Sequence, residues 1–237
     1  TGHFRTGNLE TAKCRIICSC EENPSQAFKV NALGARNLAI VAAKMQAKMV
    51  QLSTDDVFDG KSTEPYTEFD ITNPGTVYGK SKLAGENYVK EFTTKHFIVR
   101  STWVYGKGQN FINGFLKKVD AGEQLSIASD QFGSPTSANE LARFLLHLVH
   151  TSEYGTYHAT NKGVCSRYAF AQEILKMTGK TASMQPVPTV MSDFSKVRPA
   201  YAVLDNFIMS MVPIYDFPDW QDSLREYLEE RGLYHAE

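Results

Sequence analysis

The alternation of short apolar segments with amphipathic helical segments constrains the fold of this chain more than any other feature. The stretch AKMVQLS (47–53) predicts a strand, residues 78–92 predict a helix, and HFIVRST (96–102) predicts a second strand. A strand–helix–strand unit places its strands parallel, in a sheet that is buried on both faces. We therefore predict an α/β fold, with ligands bound at the carboxyl ends of the strands.

Further segments extend this pattern in both directions. RIICS (15–19) predicts a short strand, and Asn23 followed by Pro24 predicts the start of a helix that continues to residue 43. After about residue 106 the alternation loosens, which indicates a smaller, substrate-facing lobe interleaved with the last sheet strands. There we predict helices at residues 111–121, 137–150, 166–178 and 219–231, and short strands at 124–129, 155–160 and 184–189.

The charge and hydropathy of the chain exclude two classes of partner. The 237 residues carry a formal net charge of −1, so no bulk field attracts nucleic acid or an anionic membrane. No apolar run approaches the roughly 18 residues that a spanning helix needs, and no secretory signal pattern is present. We therefore expect a soluble, cytoplasmic protein with no nucleic-acid or membrane partner.

The cysteines do not have the spacing of a metal site. Cys14, Cys18 and Cys20 crowd one short stretch, and Cys165 lies far from them in sequence. Cys18 and Cys20 are separated by one residue, whereas common zinc and redox pairs have two residues between them. We predict buried free thiols on a strand and no metal.

The beginning of the chain departs from what a dinucleotide-binding sheet needs. Such a sheet opens with a strand, a glycine-rich turn and a helix, but this sequence opens with TGHFRTGNLETAKC. Thr1 and Gly2 have the composition of the end of such a turn. Two interpretations are open: the phosphate-binding turn is absent from the protein, or the sequence omits part of the chain. We expect the second.

A tyrosine and a lysine stand four residues apart in the predicted helix 78–92. Residues i and i+4 share one face of a helix, so Tyr78 and Lys82 are expected to be neighbours. A nearby ammonium stabilises a phenolate and lowers the pKa of the tyrosine, which makes the phenol a better general acid or base. The alternative is that both residues belong to a solvated helix face.

Thr54 follows the strand that precedes this helix. A hydroxyl at the carboxyl end of that strand can donate a hydrogen bond to a substrate carbonyl oxygen that Tyr78 also contacts. Reduction of a ketone needs such donors, because negative charge builds on the oxygen as hydride reaches the carbon. We therefore predict that Thr54 donates, Tyr78 protonates and Lys82 balances the charge; the alternative for Thr54 is capping of the strand end.

Several segments, in this order, resemble one family. The segments STDDVFDG, VYGKSKLAGE, IVRSTWVYG, DQFGSPT, YGTYH and RPAYAVLD are similar to those of the dTDP-4-dehydrorhamnose reductases, a branch of the extended short-chain dehydrogenases/reductases. The resemblance implies a Rossmann-type doubly wound parallel sheet with a smaller C-terminal substrate-binding lobe. It divides the chain into a dinucleotide-binding part, residues 1–106, and a mainly substrate-binding part, residues 107–237.

The resemblance also implies an activity and the residues that perform it. The family uses NADPH or NADH to reduce the 4-keto group of dTDP-6-deoxy-L-lyxo-4-hexulose to dTDP-L-rhamnose, a precursor of surface polysaccharides. Some relatives pair through a magnesium-bridged interface, so the expected states are a monomer or a homodimer, with no assigned magnesium ligands. By motif match, the catalytic residues are Thr54, Tyr78 and Lys82; Ser53 and Ser101, with Tyr78 and Lys82, contact the cofactor; and Trp103, Asn110, Gln131 and Arg198 contact the sugar nucleotide.

Alternatives remain for two of these residues and for the activity. Trp103 can be a core residue, and Arg198 can belong to a surface ion pair rather than bind a diphosphate. Asp56 stands where these reductases usually have tyrosine, and Asp55 with Asp56 resembles the acidic pair of sugar-nucleotide dehydratases. The competing functions are therefore an epimerase or dehydratase, and a non-catalytic subunit like the regulatory subunit of a methionine adenosyltransferase.

Overall fold

The computed structural model describes residues 17–189 and 199–235. The predictions for Thr1, Gly2, Cys14 and Arg198 fall outside these residues. The helices are α1 (Ile17–Glu22), α2 (Pro24–Phe28), α3 (Gly34–Lys44), α4 (Val77–Phe92), α5 (Phe111–Asp120), α6 (Ala138–His150), α7 (Arg167–Thr178), α8 (Phe207–Met211) and α9 (Trp220–Glu229), with a π-helical turn at Lys29–Leu33 and a 3₁₀ turn at Asp55–Val57.

Ten strands lie between the helices in the described part of the chain. They are β1 (Met49–Thr54), β2 (His96–Ser101), β3 (Val104–Tyr105), β4 (Leu125–Ala128), β5 (Phe132–Gly133), β6 (Thr136–Ser137), β7 (Gly155–His158), β8 (Cys165–Ser166), β9 (Met184–Val187) and β10 (Tyr201–Ala202). The strand–helix–strand unit predicted from the sequence is confirmed as β1, α4 and β2. The helices and strands predicted beyond residue 106 are confirmed to within two residues at each end.

The central sheet is parallel, in the order β1-β2-β7. Its register pairs Thr54 with Ser101 and Arg100 with His158, so the polar residues at the strand ends lie side by side. Smaller sheets join β10 with β5 and β8, β3 with β6, and β4 with β9. The α/β prediction is confirmed.

Successive residues of β2 face opposite layers of helices. Ile98 packs with Ala39 of α3 and Val89 of α4. Phe97 and Val99 pack on the other side, in a cluster that includes residues of α6 and β7. All three β2 residues are completely buried, as expected for a strand that is covered on both faces.

A separate core fills the second half of the chain. Ile112 of α5, Phe170 of α7 and Leu224 of α9 are buried together with Trp220 and Tyr105. The core holds the amino ends of α5 and α7 close to the segment that follows β2. That placement matters for the functional site.

The strand predicted at residues 15–19 is wrong over its described part. Ile17–Glu22 is a helix, in which Cys20 is completely buried and packs with Ala27 and Tyr78. The Glu21 carboxylate accepts hydrogen bonds from the backbone amides of Val77 (2.6 Å) and Tyr78 (3.4 Å) at the start of α4. A short apolar run is equally compatible with a buried strand and with a buried helical turn. Here the segment is helical because it packs against α4.

The helix predicted from residue 23 to residue 43 contains a wide turn. Asn23 caps it as predicted, accepting from the Gln26 amide at 3.1 Å, but Lys29–Leu33 is π-helical. Asn31, in this turn, is buried and donates to the Ser81 hydroxyl of α4 at 2.9 Å. A Cβ on Gly85 of α4 would lie 2.3 Å from the Asn31 carbonyl oxygen, so the turn forms at a close helix–helix contact.

Within the described residues, no helix is both long enough and apolar enough to cross a membrane.

Candidate active site

The carboxyl ends of β1 and β2 carry a group of hydroxyl-bearing residues. Thr54 and Ser101 end the two strands and are register partners. Because parallel strands end at the same edge of a sheet, this edge is where an α/β fold binds its ligands.

Thr54 is buried and connects β1 to the 3₁₀ turn that follows. Its hydroxyl donates to the Asp55 carboxylate at 2.9 Å and accepts from the Asp56 backbone amide at 3.2 Å. The capping role considered for Thr54 is therefore present in the structure. The Thr54 side chain also lies near enough to the Tyr78 phenol to lower its pKa, so capping and proximity to the phenol occur together.

Tyr78 is brought to Thr54 by a close contact between α4 and the 3₁₀ turn. The α4 helix begins after Thr76, whose hydroxyl accepts from the Gly79 amide at 2.8 Å. A Cβ on Gly79 would lie 2.0 Å from the Asp56 carbonyl oxygen, so a side chain at position 79 would push the helix away. The absence of a side chain at Gly79 thus allows the phenol to reach the end of β1.

The pKa of Tyr78 moves opposite to the prediction. Burial raises this pKa well above its usual range, and the charges of Asp56 and Asp55 raise it further, whereas the hydrogen bond with Thr54 lowers it. The expectation that Lys82 would lower the pKa considered only the helix neighbour. Burial and the charges of Asp56 and Asp55 decide the direction of the pKa shift instead, because both disfavour the phenolate. Tyr78 is therefore a protonated phenol near neutral pH.

Lys82 points towards the sheet. Its ammonium donates to the backbone carbonyl oxygen of Leu52, in β1, at 2.6 Å. The side chain is half-buried and lies one helical turn from Tyr78, as the spacing predicted. The structure thus brings Thr54, Tyr78 and Lys82 to the same edge of the sheet.

A buried ion pair anchors the same helix one turn further on. Glu86 is completely buried, and its carboxylate accepts two hydrogen bonds from Arg100 of β2, at 3.0 Å from Nε and 2.7 Å from Nη2. It also accepts from the Ser53 hydroxyl at 2.5 Å. The sequence reasoning missed Glu86, although its spacing of four residues from Lys82 places it on the same helix face.

Two hydroxyls at the end of β2 suit a polar ligand. Within the described part of the chain, the buried Ser101 and Thr102 side-chain oxygens have no hydrogen-bond partner. Buried polar groups are almost always hydrogen-bonded. The Ser101 position therefore fits the predicted cofactor contact, and Ser53, its neighbour on β1, keeps lone pairs after donating to Glu86.

Trp103 lies just beyond β2 and does not present an open ring face. The Arg167 guanidinium carbon stacks 3.6 Å from the centroid of its ring. A Cβ on Gly133 would lie 2.6 Å from the same ring. Trp103 itself has a positive φ of 46°, which is uncommon for a bulky residue. The structure thus gives Trp103 packing partners where the sequence predicted a wall for a sugar.

Gln131 and Asn110 border this stack in different ways. The Gln131 carbonyl oxygen accepts from the Arg167 backbone amide at 3.0 Å. The Asn110 side chain caps α5, accepting from the Asn113 amide at 3.1 Å and donating to the Gly106 carbonyl oxygen at 2.5 Å. The structure therefore joins Trp103 and Gln131 through Arg167, and turns the Asn110 amide towards the backbone.

No group of three or more His, Cys, Asp or Glu side chains suited to a metal ion occurs among the described residues. Cys20 and Cys165 are both buried, and among the described residues neither forms a disulfide.

Comparisons with known proteins agree with the geometry. Residues 10–232 match the model of the RmlD substrate binding domain family. The spore coat polysaccharide biosynthesis protein SpsK of Bacillus subtilis is 37% identical over 233 residues, which are 98% of this chain and 82% of that protein.

Two crystal structures are also similar. A dTDP-4-dehydrorhamnose reductase of Clostridium acetobutylicum superposes with a TM-score of 0.87 at 42% identity, covering 90% of this chain and 76% of that one. The enzyme of Bacillus anthracis, solved in complex with NADP, gives 0.86 at 37% identity over 91% and 76%. These similarities confirm the predicted Rossmann-type fold.

Proposed function

Because this chain belongs to the RmlD substrate binding domain family, we propose that it is an NAD(P)H-dependent reductase of a nucleotide-linked 4-keto sugar. The substrate is a dTDP-linked 6-deoxyhexulose and the product is dTDP-L-rhamnose. Support comes from the reductases of this name that match most of the chain, and from the relative that was solved with NADP.

One observation carries the proposal. Thr54 ends β1, the Lys82 ammonium donates to the Leu52 carbonyl oxygen of the same strand at 2.6 Å, and the close approach of Gly79 to Asp56 places Tyr78 beside them. A carbonyl oxygen held beside Thr54 and Tyr78 has two hydroxyl donors within one cluster. Such pre-positioned donors stabilise the negative charge that develops during ketone reduction.

Each residue has a defined task in this reaction. The cofactor, when bound, supplies hydride to C4 of the sugar. Tyr78 gives its phenolic proton to the carbonyl oxygen; its raised pKa keeps the phenol protonated but opposes release of that proton. The Thr54 hydroxyl, which donates to the Asp55 carboxylate in this structure, turns on substrate binding to donate to the same oxygen, because a hydroxyl has a single proton to donate. Lys82 supplies a positive charge near the phenolate that is left, which favours its formation.

The residues at the strand ends fit a nicotinamide cofactor. Ser101 offers a buried hydroxyl whose hydrogen-bonding capacity is unused within the described residues. Ser53 is held in position by Glu86 at 2.5 Å, and Lys82 lies on the adjacent helix. These residues would hold the cofactor beside Thr54 and Tyr78.

A rate measurement on one variant tests the proposal. We expect the protein to oxidise NADPH in the presence of the 4-keto sugar nucleotide, and Tyr78→Phe to lose about 10²- to 10⁴-fold in kcat, since it removes the general acid. Tyr88→Phe, on the same helix and also half-buried, serves as the control with an unchanged rate.

The outcomes separate the competing functions. Equal rates for wild type and Tyr78→Phe would remove Tyr78 as the acid. No turnover by the full-length wild type would remove the reductase hypothesis for this substrate. Conversion of the sugar nucleotide without net oxidation of NADPH would favour the epimerase or dehydratase. The hydrogen bond from Thr54 to Asp55 and the buried Asp56 carboxylate are the observations that support this alternative.

A further inference from the structure

Three residues of α4 lie along the helix face that meets the end of β1. Tyr78, Lys82 and Glu86 recur at intervals of four residues, so they share one face of the helix. The Lys82 ammonium reaches the Leu52 carbonyl oxygen at 2.6 Å, and the Glu86 carboxylate reaches the Ser53 hydroxyl at 2.5 Å. The sequence predicted tasks for the first two of these helix residues and none for Glu86.

The contacts of Glu86 fix the direction of its hydrogen bond with Ser53. Glu86 is completely buried, and its two carboxylate oxygens accept from Arg100, at 3.0 Å from Nε and 2.7 Å from Nη2. Because a guanidinium has only donors, this contact holds the Glu86 carboxylate as an acceptor. A hydroxyl has one proton, so Ser53 donates its proton to Glu86 and has only lone pairs left for another contact.

The lone pairs of Ser53 are accessible to a ligand. Ser53 is half-buried, and its hydroxyl forms a side-chain hydrogen bond only with Glu86 among the residues that the structure describes. A ligand that hydrogen-bonds with Ser53 must therefore supply the donor, an N–H or an O–H group. Donation to a carboxylate also polarises the hydroxyl, which strengthens the hydrogen bond that it accepts.

We propose that Glu86 is a positioning residue for the cofactor: it holds Ser53 as the acceptor for a hydrogen-bond donor in the nicotinamide half of NADPH. This inference rests on the proposed function and names a contact within it. Ser53 directly precedes Thr54, which binds the carbonyl group that receives hydride, so the half of the cofactor that delivers hydride is the half beside Ser53. That half has two kinds of donor, the ribose hydroxyls and the carboxamide N–H groups.

Binding of NADPH and of a fragment isolates the Ser53 contact. Adenosine 2′,5′-bisphosphate has the phosphorylated adenosine part of NADPH and lacks the nicotinamide half. For Ser53→Ala in the full-length protein, we expect isothermal titration to give a Kd for NADPH that is about 3- to 10-fold higher, the effect of losing one hydrogen bond. The Kd of the fragment should change less than about twofold, because sites without a shared contact act independently.

Two further serine variants complete this comparison. Ser53→Cys nearly keeps the size of the side chain, but a thiol is a weak acceptor, so the Kd for NADPH should rise as in Ser53→Ala. Ser126→Ala is the matched control. Ser126 lies in β4, and its hydroxyl accepts from the Gln185 amide at 3.1 Å. This variant should leave both affinities unchanged.

A cycle of two substitutions tests the role of Glu86. Glu86→Gln introduces an amide donor between Arg100 and Ser53, so the direction of the Ser53 hydroxyl is no longer fixed, and the Kd for NADPH should rise about 3- to 10-fold. If Glu86 acts through Ser53, the double variant Ser53→Ala/Glu86→Gln should bind NADPH no more weakly than Ser53→Ala alone. Independent structural effects would multiply instead.

A cofactor analogue identifies the donor group. The 3-acetylpyridine analogue of NADP⁺ has a methyl ketone in place of the carboxamide and therefore lacks the N–H donors. Equal weakening of NADP⁺ and of the analogue by Ser53→Ala would assign the contact to a ribose hydroxyl. Weakening of NADP⁺ alone would assign it to the carboxamide. Both results support the proposal.

The remaining outcomes contradict it. Equal NADPH affinity in wild type and Ser53→Ala, or in wild type and Ser53→Cys, overturns the inference and leaves the reductase intact. Equal weakening of NADPH and of the fragment, or multiplying effects in the double variant, also overturns it, because each indicates a purely structural role. Failure of the full-length wild type to bind NADPH contradicts the proposed cofactor itself. If Glu86→Gln does not fold, the same cycle with Glu86→Asp decides, since this variant keeps a carboxylate but withdraws it from Ser53 by one methylene group.

Discussion

Two regions of the molecule meet the same end of the sheet but are built by different forces. The α4 site comprises Thr54, Tyr78, Lys82 and Glu86. It combines one helix with two adjacent strand ends and is held by the buried Glu86–Arg100 pair and by Lys82 on the Leu52 carbonyl oxygen. The Trp103–Arg167 cluster comprises Trp103, Gln131, Gly133 and Arg167, and it is held by ring stacking and close packing.

The difference suggests how each region tolerates change. Removing one partner of a buried ion pair leaves an uncompensated charge inside the protein, which is among the most costly single changes. Stacking and packing contacts are individually weaker. We therefore expect loss of the Glu86–Arg100 pair in the α4 site to appear mainly as loss of stability, and damage to the Trp103–Arg167 cluster to have a smaller effect on stability.

The largest effect is expected from Glu86→Gln. Arg100 would remain buried without its carboxylate partner, so the free energy of unfolding should fall by about 3–5 kcal/mol. Urea denaturation measures this free energy of unfolding. Glu91→Gln, at an exposed position of the same helix, should change stability by less than about 0.5 kcal/mol. A loss below about 1 kcal/mol in Glu86→Gln would show that the ion pair is not what anchors α4.

Acid should weaken the α4 side of the sheet through His158, the register partner of Arg100. Burial, and then the charge of Arg100, lower the pKa of His158 to about 3, against roughly 6.5 in an unfolded chain. The unfolded state therefore binds the proton first as the pH falls. The stabilising contribution is complete above about pH 6.5 and is lost below it, by up to about 1.4 kcal/mol per pH unit.

Denaturation at pH 7, 6 and 5 tests this expectation. The slope of stability against pH should be shallower in His158→Gln, and the difference between the two slopes separates His158 from the carboxylates. His150→Gln, at an exposed position, should keep the wild-type slope. Parallel slopes for wild type and His158→Gln would mean that His158 is not held neutral.

In the Trp103–Arg167 cluster, Gly133→Ala should have a smaller effect on stability. The new methyl group would lie 2.6 Å from the Trp103 ring, and overpacking of this kind costs about 1–3 kcal/mol. Displacement of the ring should also weaken dTDP binding. Gly114→Ala is the control: its Cβ meets nothing within 4 Å on α5, and it should stabilise the protein by about 0.5–1 kcal/mol. If Gly133→Ala binds dTDP with unchanged affinity, the position of the Trp103 ring does not affect ligand binding.

The smallest effect is expected from Asn110→Ala at the border of the cluster. Loss of the α5 cap to the Asn113 amide should lower stability by about 1 kcal/mol. Thermal and urea unfolding measure this term. A parallel titration with dTDP shows whether Asn110 also contacts the ligand, as the family resemblance implies, because a cap alone should leave the affinity unchanged. A stability loss near zero would contradict the capping role.

Sequence reasoning worked where interactions are local. The helix from Val77 to Phe92 and the neighbouring strands follow from residue periodicity, and the juxtaposition of Tyr78 and Lys82 follows from the geometry of one helix turn. It failed at residues 17–19, which belong to the six-residue helix Ile17–Glu22 that docks on α4. It also missed Glu86 and Arg167, whose partners are distant in sequence.

The sequence by itself determined the α/β alternation, the caps and the helix face shared by Tyr78 and Lys82, because steric and periodic preferences act within a few residues. Only the tertiary structure decided the direction of the Tyr78 pKa, the burial of the Glu86–Arg100 pair and the stacking of Arg167 on Trp103. These depend on how much water is excluded and on which charges and rings approach from other segments, and neither quantity is encoded in local spacing.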